Sequence, residues 1–215
     1  MSDIAIVGGH GQVARLLVPL LTDRGDLPVA LVRNPDHAAD LPGAAIRLLD
    51  IENASAEDFA TVFTDCHAVV FAAGGGPDGK IERKRSVDLE GSLKSIEAAK
   101  SLGVKRFVQL SAMGVDTAPG DDVEPVWKAY VEAKRDADTA LRESGLDWTI
   151  VRPGALTDDA GTGRVEVGET VDRGEIPRAD VAAVLAAVLA DDSTIGKQFE
   201  VVGGDTPVAD ALASL

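Results

Sequence analysis

The chain has 215 residues, 45% of them hydrophobic and 27% charged, which is enough apolar material for a packed core and excludes both a large multidomain machine and wholesale disorder. Its 21 Lys and Arg against 36 Asp and Glu leave a net charge of −15, which repels phosphate backbones and anionic membranes and argues against nucleic acid as a partner. A single cysteine, Cys66, rules out an intrachain disulfide, and no apolar run approaches the roughly 18 residues of a membrane-spanning helix. The residues after Met1 lack a basic, then long apolar, leader, so a cytoplasmic protein without membrane attachment is expected.

In chain order, Asp3 to Gly8 reads as a short apolar strand, and Gln12 to Asp23 as a helix with Val13, Leu16, Leu17, Leu20 and Leu21 at helical spacing. Strands are expected at Val29 to Val32 and Ala45 to Leu49, a short helix at Ala56 to Phe63, and a fully apolar strand at Ala68 to Ala73. A helix from Arg85 to Leu102 ends at Gly103, the residue type best able to adopt a left-handed C-terminal cap. A strand at Arg106 to Leu110, a helix at Val126 to Ser144 closed by Gly145, and a strand at Asp147 to Val151 stopped by Arg152-Pro153-Gly154 complete six alternating units. A helix at Arg178 to Ala190 and a strand at Gln198 to Val202 follow. The loops Met113 to Pro125 and Thr157 to Glu175 are long enough to cover whatever binds at the strand ends.

Strands separated by helices imply an α/β, doubly wound parallel sheet of the Rossmann type with right-handed crossovers. The whole of 1–215 is expected to be one dinucleotide-binding unit, with 153–215 a small C-terminal appendage contributing loops, a helix and a strand on the substrate side.

The first turn, Gly8-Gly9-His10-Gly11-Gln12-Val13-Ala14, follows a strand and opens a helix. Glycines there permit a tight turn and close approach of a pyrophosphate, Ala14 lets helix and sheet pack closely, and the helix N-terminus offers free N–H donors and partial positive charge. At the end of the second strand, where a carboxylate reads a ribose 2′-hydroxyl, stands Arg33. A guanidinium fork suits a 2′-phosphate, so NADP is expected over NAD; the alternative for Arg33 is a solvated surface charge. Asp50, with Ile51 beside it, is placed either to meet the adenine amino group or to cap the next segment. His10, His37, His67 and Cys66 show no ligand spacing, and no metal is assigned.

Taken with Ala72-Ala73-Gly74, Val87-Asp88-Leu89-Glu90-Gly91, Ser111-Ala112-Met113-Gly114, Tyr130-Val131-Glu132-Ala133-Lys134 and the run DWTIVRPG from Asp147 to Gly154, the glycine loop resembles the small atypical members of the short-chain dehydrogenase/reductase superfamily. These are NAD(P)H-binding proteins similar to biliverdin/flavin reductase and to the "NAD-dependent epimerase/dehydratase" group. The resemblance implies that Ala72 to Gly74 lies against the cofactor, that Ser111, Tyr130 and Lys134 form the catalytic group, and that Pro153-Gly154 passes the nicotinamide. Two departures stand out: Asp88 replaces the superfamily's usual Asn, and the step from Ser111 to Tyr130 is longer than in the commonest members.

Tyr130 and Lys134 are four residues apart and share a helical face, where an ammonium is expected to lower the phenol's pKa toward the working range. Ser111, at a strand's carboxyl end, is placed to hydrogen-bond a carbonyl oxygen. The alternative is that Tyr130 packs on the sheet and Lys134 is solvated. Trp127 and Trp148 read as packing residues, Trp127 in a segment placed to line a substrate pocket. The function expected is an NADP(H)-dependent oxidoreductase acting on a small carbonyl, quinone or flavin-like molecule; the alternatives are a non-enzymatic NADP(H)-binding sensor and, disfavoured by the short stretch after Gly154, a sugar-nucleotide epimerase or dehydratase.

Overall fold

A computed structural model describes residues 2–76, 79–120 and 122–215. Met1, Pro77, Asp78 and Asp121, the last inside the expected loop Met113 to Pro125, lie outside the described residues. In β1 (Asp3–Val7) Ile4 and Ile6 point to one side and Ala5 and Val7 to the other, and all four are buried. A strand that is apolar at every position needs cover on both faces, and it has it.

The strands that follow are β2 (Leu27–Val32), β3 (Ala45–Leu48), β4 (Ala68–Phe71), β5 (Arg106–Leu110), β6 (Asp147–Pro153), β7 (Ala155–Thr157), β8 (Arg164–Gly168), β9 (Glu175–Pro177), β10 (Lys197–Gly203) and β11 (Thr206–Pro207). The central nine-stranded sheet runs β3-β2-β1-β4-β5-β6-β10-β8-β11, while β7 and β9 pair with each other apart from it. From β3 to β10 every pairing is parallel; β8 is antiparallel to β10 and β11. The sheet order reverses between β1 and β4, and open α/β sheets bind ligands at that crevice.

The helices are α1 (Gln12–Asp23), α2 (Ala56–Phe63), α3 (Ile81–Arg83), α4 (Gly91–Leu102), α5 (Pro125–Arg142), α6 (Arg178–Ala190) and α7 (Val208–Leu212). Leu17, Val18 and Leu21 of α1 and Val181, Val184 and Leu185 of α6 fill one core with Ile4 and Ile6. Phe59 and Phe63 of α2, Ile96 and Ala99 of α4 and Leu141 of α5 fill the other with Ala5 and Val7. Among the described residues no helix is long and apolar enough to cross a membrane.

Besides β6, which runs on through Arg152-Pro153, and the short elements β7, β9, β11 and α7, the structure departs from the sequence pattern in two larger ways. The helix expected from Arg85 begins at Ile81, and Lys84–Glu90 is wound as a π-helix before α4. The charged run Glu82-Arg83-Lys84-Arg85 hides its apolar period, and π turns cluster at functional sites. The stretch Thr157 to Glu175, expected as a covering loop, holds β8, whose buried Val165 lies between exposed Arg164 and Glu166. A five-residue strand surrounded by glycines and charges offers too little alternation to stand out.

Candidate active site

The chain leaves β1 through Gly8 at φ +80°, and a Cβ there would lie 2.7 Å from the Ala73 Cα. Only glycine allows both the left-handed backbone and this contact with the end of β4. Gly9 N–H donates to Leu31 O at 3.0 Å, Gly11 N–H closes the turn on Gly8 O at 2.8 Å, and Gly11 caps α1 without any side-chain acceptor. The first-turn N–H groups of α1 are therefore left to a ligand. This fits a pyrophosphate between Gly11, Gln12, Val13 and the opposite wall Ala72-Ala73-Gly74, all of which line one cleft.

Beyond the loop lies a cavity of about 260 Å³ lined by His10, Arg33, His37, Asp50, Ile51, Glu52 and Arg83. Arg33 is 64% exposed and its Nη1 stands 4.0 Å from Glu52 Oε2. Arg83 Nε approaches the other oxygen of Glu52 at 3.4 Å, so one carboxylate lies between two guanidinium groups. Asp50 lines the cavity and caps the segment that follows, accepting from Glu52 N–H at 3.2 Å and Asn53 Nδ2 at 2.8 Å. The His10 and His37 rings stack at 3.6 Å, with His10 Nε2 at 2.8 Å from Asp40.

The larger cleft, about 1040 Å³, meets the first at Gly11 and Ala72 to Gly74 and extends past Ser111, Tyr130 and Lys134 to Pro153 and Gly154. Lys134 is 5% exposed; its ammonium donates to Leu110 O at 3.2 Å and Ala73 O at 3.4 Å and stands 3.2 Å from Asp88 Oδ1. It ties together the ends of β4 and β5 on the crevice floor. Asp88 also accepts from Gly75 N–H at 2.8 Å, so its charge both neutralises Lys134 and fixes the backbone after β4. Burial pulls the Lys134 ammonium down, but Asp88, with Tyr130 and Asp138, outweighs it and holds the group above its ordinary range.

The Tyr130 ring lies 6.0 Å from Lys134 Nζ and 5.8 Å from Lys84 Nζ, and 5.3 Å from the Trp127 ring, centroid to centroid. Burial pushes its phenol up; Lys134 pulls it down by less, and Asp88 and Asp138 push it up further. The expected lowering is thus reversed, because burial outweighs the pull of Lys134 and the two carboxylates add to it.

Ser111 also differs from expectation. Its hydroxyl donates to Asp138 Oδ2 of α5 at 2.7 Å. Asp138 is 0% exposed and further accepts from Gln109 Nε2 at 2.6 Å and from Arg152 Nε at 2.9 Å and Nη2 at 2.7 Å. Arg152 in turn grips Asp116 with Nη1 at 2.5 Å and Nη2 at 2.9 Å, which holds the Asp116 carboxyl below its usual range. With Asp138 taking its proton, Ser111 turns an acceptor oxygen, not a donor, to the cleft.

Every residue singled out in the sequence as cofactor-binding or catalytic lines one or both cavities except Gly9, which packs behind the loop against Ala30. Sequence reasoning missed Glu52, Arg83, Lys84, Asp138, Arg152, Arg173 and Arg178. Asp138 carried a signal: with Tyr130 and Lys134 it continues the four-residue step along one face of α5.

A model of NAD(P)H-binding domains matches residues 8–192. An uncharacterized sugar epimerase of Bacillus subtilis is 37% identical over 99% of both chains. A Bacillus halodurans protein assigned to the NAD-dependent epimerase/dehydratases superposes with a TM-score of 0.93 at 39% identity, covering 100% of both chains, and an oxidoreductase of Lactococcus lactis with 0.88 at 28%, covering 99% of this chain and 96% of the other. On its uncapped glycine turn, its crevice between β1 and β4 and these likenesses, the chain belongs to the NAD(P)H-binding family of the atypical short-chain dehydrogenase/reductase type.

Proposed function

We propose that the protein is an NADPH-dependent reductase that delivers hydride to a small carbonyl, quinone or flavin-like acceptor. The observation that carries this reading is the single cleft joining the uncapped α1 N-terminus to the Tyr130 phenol and the Pro153-Gly154 turn. The cofactor, when bound, supplies the hydride. Gly11 and the α1 amides hold its pyrophosphate, Ala72 to Gly74 forms the opposite wall, and Pro153-Gly154 borders the nicotinamide. Arg33, with Arg83 across Glu52, receives the 2′-phosphate, which favours NADPH over NADH.

A phenol is protonated at neutral pH, so Tyr130, whose ring lines the cleft, acts as an acid and gives its proton to the oxygen that gains charge as hydride arrives. Lys134 and Asp88 keep the crevice floor rigid and neutral around that reaction. Ser111 accepts a hydrogen bond from the carboxamide of the cofactor or from the acceptor molecule, and Asp138 fixes its direction. NADPH oxidation with a panel of quinones, flavins and aldehydes tests the reading: turnover with one of these classes is expected.

A second reading, a cofactor-binding sensor without turnover, is favoured by the commitment of the Ser111 proton to Asp138, which removes one expected donor from the reacting oxygen. Tight NADPH binding with no oxidation across the panel would select it.

A further inference from the structure

The charge of the large cleft is opposite to that of the chain. In a protein of net charge −15, Lys84, Lys134, Arg173 and Arg178 line it, against Asp88 and Glu124. Lys134 and Asp88 neutralise each other at 3.2 Å, which leaves three cations and the exposed Glu124 at the head of α5. Those cations come from three separate segments: Lys84 from the π-helix, Arg173 from the loop before β9, and Arg178 from the start of α6.

Arg173 and Arg178 stand apart from the expected pyrophosphate site, while the Lys84 ammonium donates to Gly76 O beside it. That site is at the ends of β1 and β4, whereas Arg178 donates to Leu156 O at 3.4 Å, just past the end of β6. Three strand spacings of about 4.8 Å put β6 on the order of 14 Å from β1. Arg173 reaches over the end of β5, where a Cβ on Gly114 would lie 3.8 Å from its Nη2. Among the described residues Arg173 has no ion-pair partner, and the only one for Arg178 is Asp158, whose side chain is largely exposed, an arrangement that holds an arginine weakly. An aromatic shelf stands beside Lys84, whose Nζ lies 5.8 Å from the Tyr130 ring centroid, with Trp127 52% exposed and its ring tilted 34° to that of Tyr130.

We propose that the acceptor molecule is an anion: a planar body resting on Trp127 and Tyr130, with a carboxylate or phosphate group held by Arg173 and Arg178. This deepens the reductase reading and rests on it for the place of the cofactor. A guanidinium pair recognises either anion through charge-assisted bonds, and a surface this acidic repels the same anion everywhere else, so the cleft selects it by contrast.

The test compares 4-carboxybenzaldehyde with neutral 4-methylbenzaldehyde, titrated calorimetrically into the protein saturated with NADP⁺. The anionic member is expected to bind about ten-fold tighter or more at low salt, the gain of a charge-assisted contact, with the advantage shrinking as salt screens it. Arg173→Ala and Arg178→Ala should each remove part of that advantage while leaving the neutral aldehyde and NADP⁺ unaffected. Equal affinities for the two aldehydes, or an advantage that survives in the double variant, would overturn the proposal. Anion binding without reduction by NADPH would count against the reductase and leave the anion site standing, whereas turnover of neutral carbonyls beside weak anion binding would do the reverse.

Discussion

The two ends of the cleft are built from different materials. At the glycine loop the working groups are backbone: amides of α1, the turn closed by Gly11 on Gly8, and the contact of Gly8 with Ala73. At the Tyr130 end they are side chains brought from the π-helix, β5, α5, β6 and the loop before β9. Backbone groups stay put whatever the neighbouring side chains are, so the first end is set by a few glycines in a row. The second depends on buried charges that hold each other, and a single substitution there disturbs both stability and chemistry.

The sharpest way to separate these designs is within the loop itself. Gly11 opens toward the cleft, where a Cβ would meet only Gly8 O at 3.1 Å and Ala72 O at 3.8 Å. Gly11→Val should therefore abolish NADPH binding measured by calorimetry while the melting temperature changes little. Gly9, whose Cβ would lie 2.8 Å from that of Ala30, should show the opposite balance, with Gly9→Val lowering the melting temperature first. If both variants lost only binding, the backbone loop would not be the rigid element described here.

At the other end, Lys134→Met should cost about 3–5 kcal/mol, the usual penalty for leaving the buried charge of Asp88 without its partner. Adding Asp88→Asn should restore most of the loss, since the amide oxygen still accepts from Gly75 N–H. Because the Lys134 ammonium is held above its ordinary value of 10.5, its contribution is fully present below that pH and fades as the pH rises through the higher folded value. Denaturant melts at alkaline pH should show this fading in the parent and not in the double variant.

Next in size is Tyr130→Phe, expected to lower kcat by roughly 100-fold with NADPH affinity unchanged, as for the loss of a general acid. An acceptor that takes hydride without a proton from the protein would make this effect small, which would itself identify the acceptor class. Smallest is Arg33→Ala, expected to weaken NADPH by about ten-fold and NADH hardly at all, the value of one exposed charge-assisted contact. An unchanged preference would move 2′-phosphate recognition to Arg83.

The same division explains what the sequence made legible. The bounds of α1, α2, β5 and α6 are those that periodicity predicts, and the structure adds a capping box of Ser55 and Asp58 at the start of α2. The glycine loop was readable because its meaning is local. The orientation of Ser111 was not, since it depends on Asp138, twenty-seven residues on, and on Arg152, which sequence reading took only as part of a strand stop. Likewise, the fall expected in the Tyr130 pKa used one neighbour, Lys134, and left out the burial of the phenol and, after it, Asp88, which a different helix supplies. Local pattern places each charge on its element; which charges cancel is decided only when the elements pack.

Glu200 on β10 is nearly buried, and its two oxygens serve different masters: Oε1 accepts from Gly114 N–H at 2.9 Å and Oε2 from Val171 N–H at 3.2 Å. The rim segments after β5 and before β9 are thereby hinged on one side chain. Displacing either strips a buried carboxylate oxygen of its donor, a cost of about 1–3 kcal/mol. The two rims are consequently fastened to each other through one carboxylate, and their spacing is set from the strand beneath them.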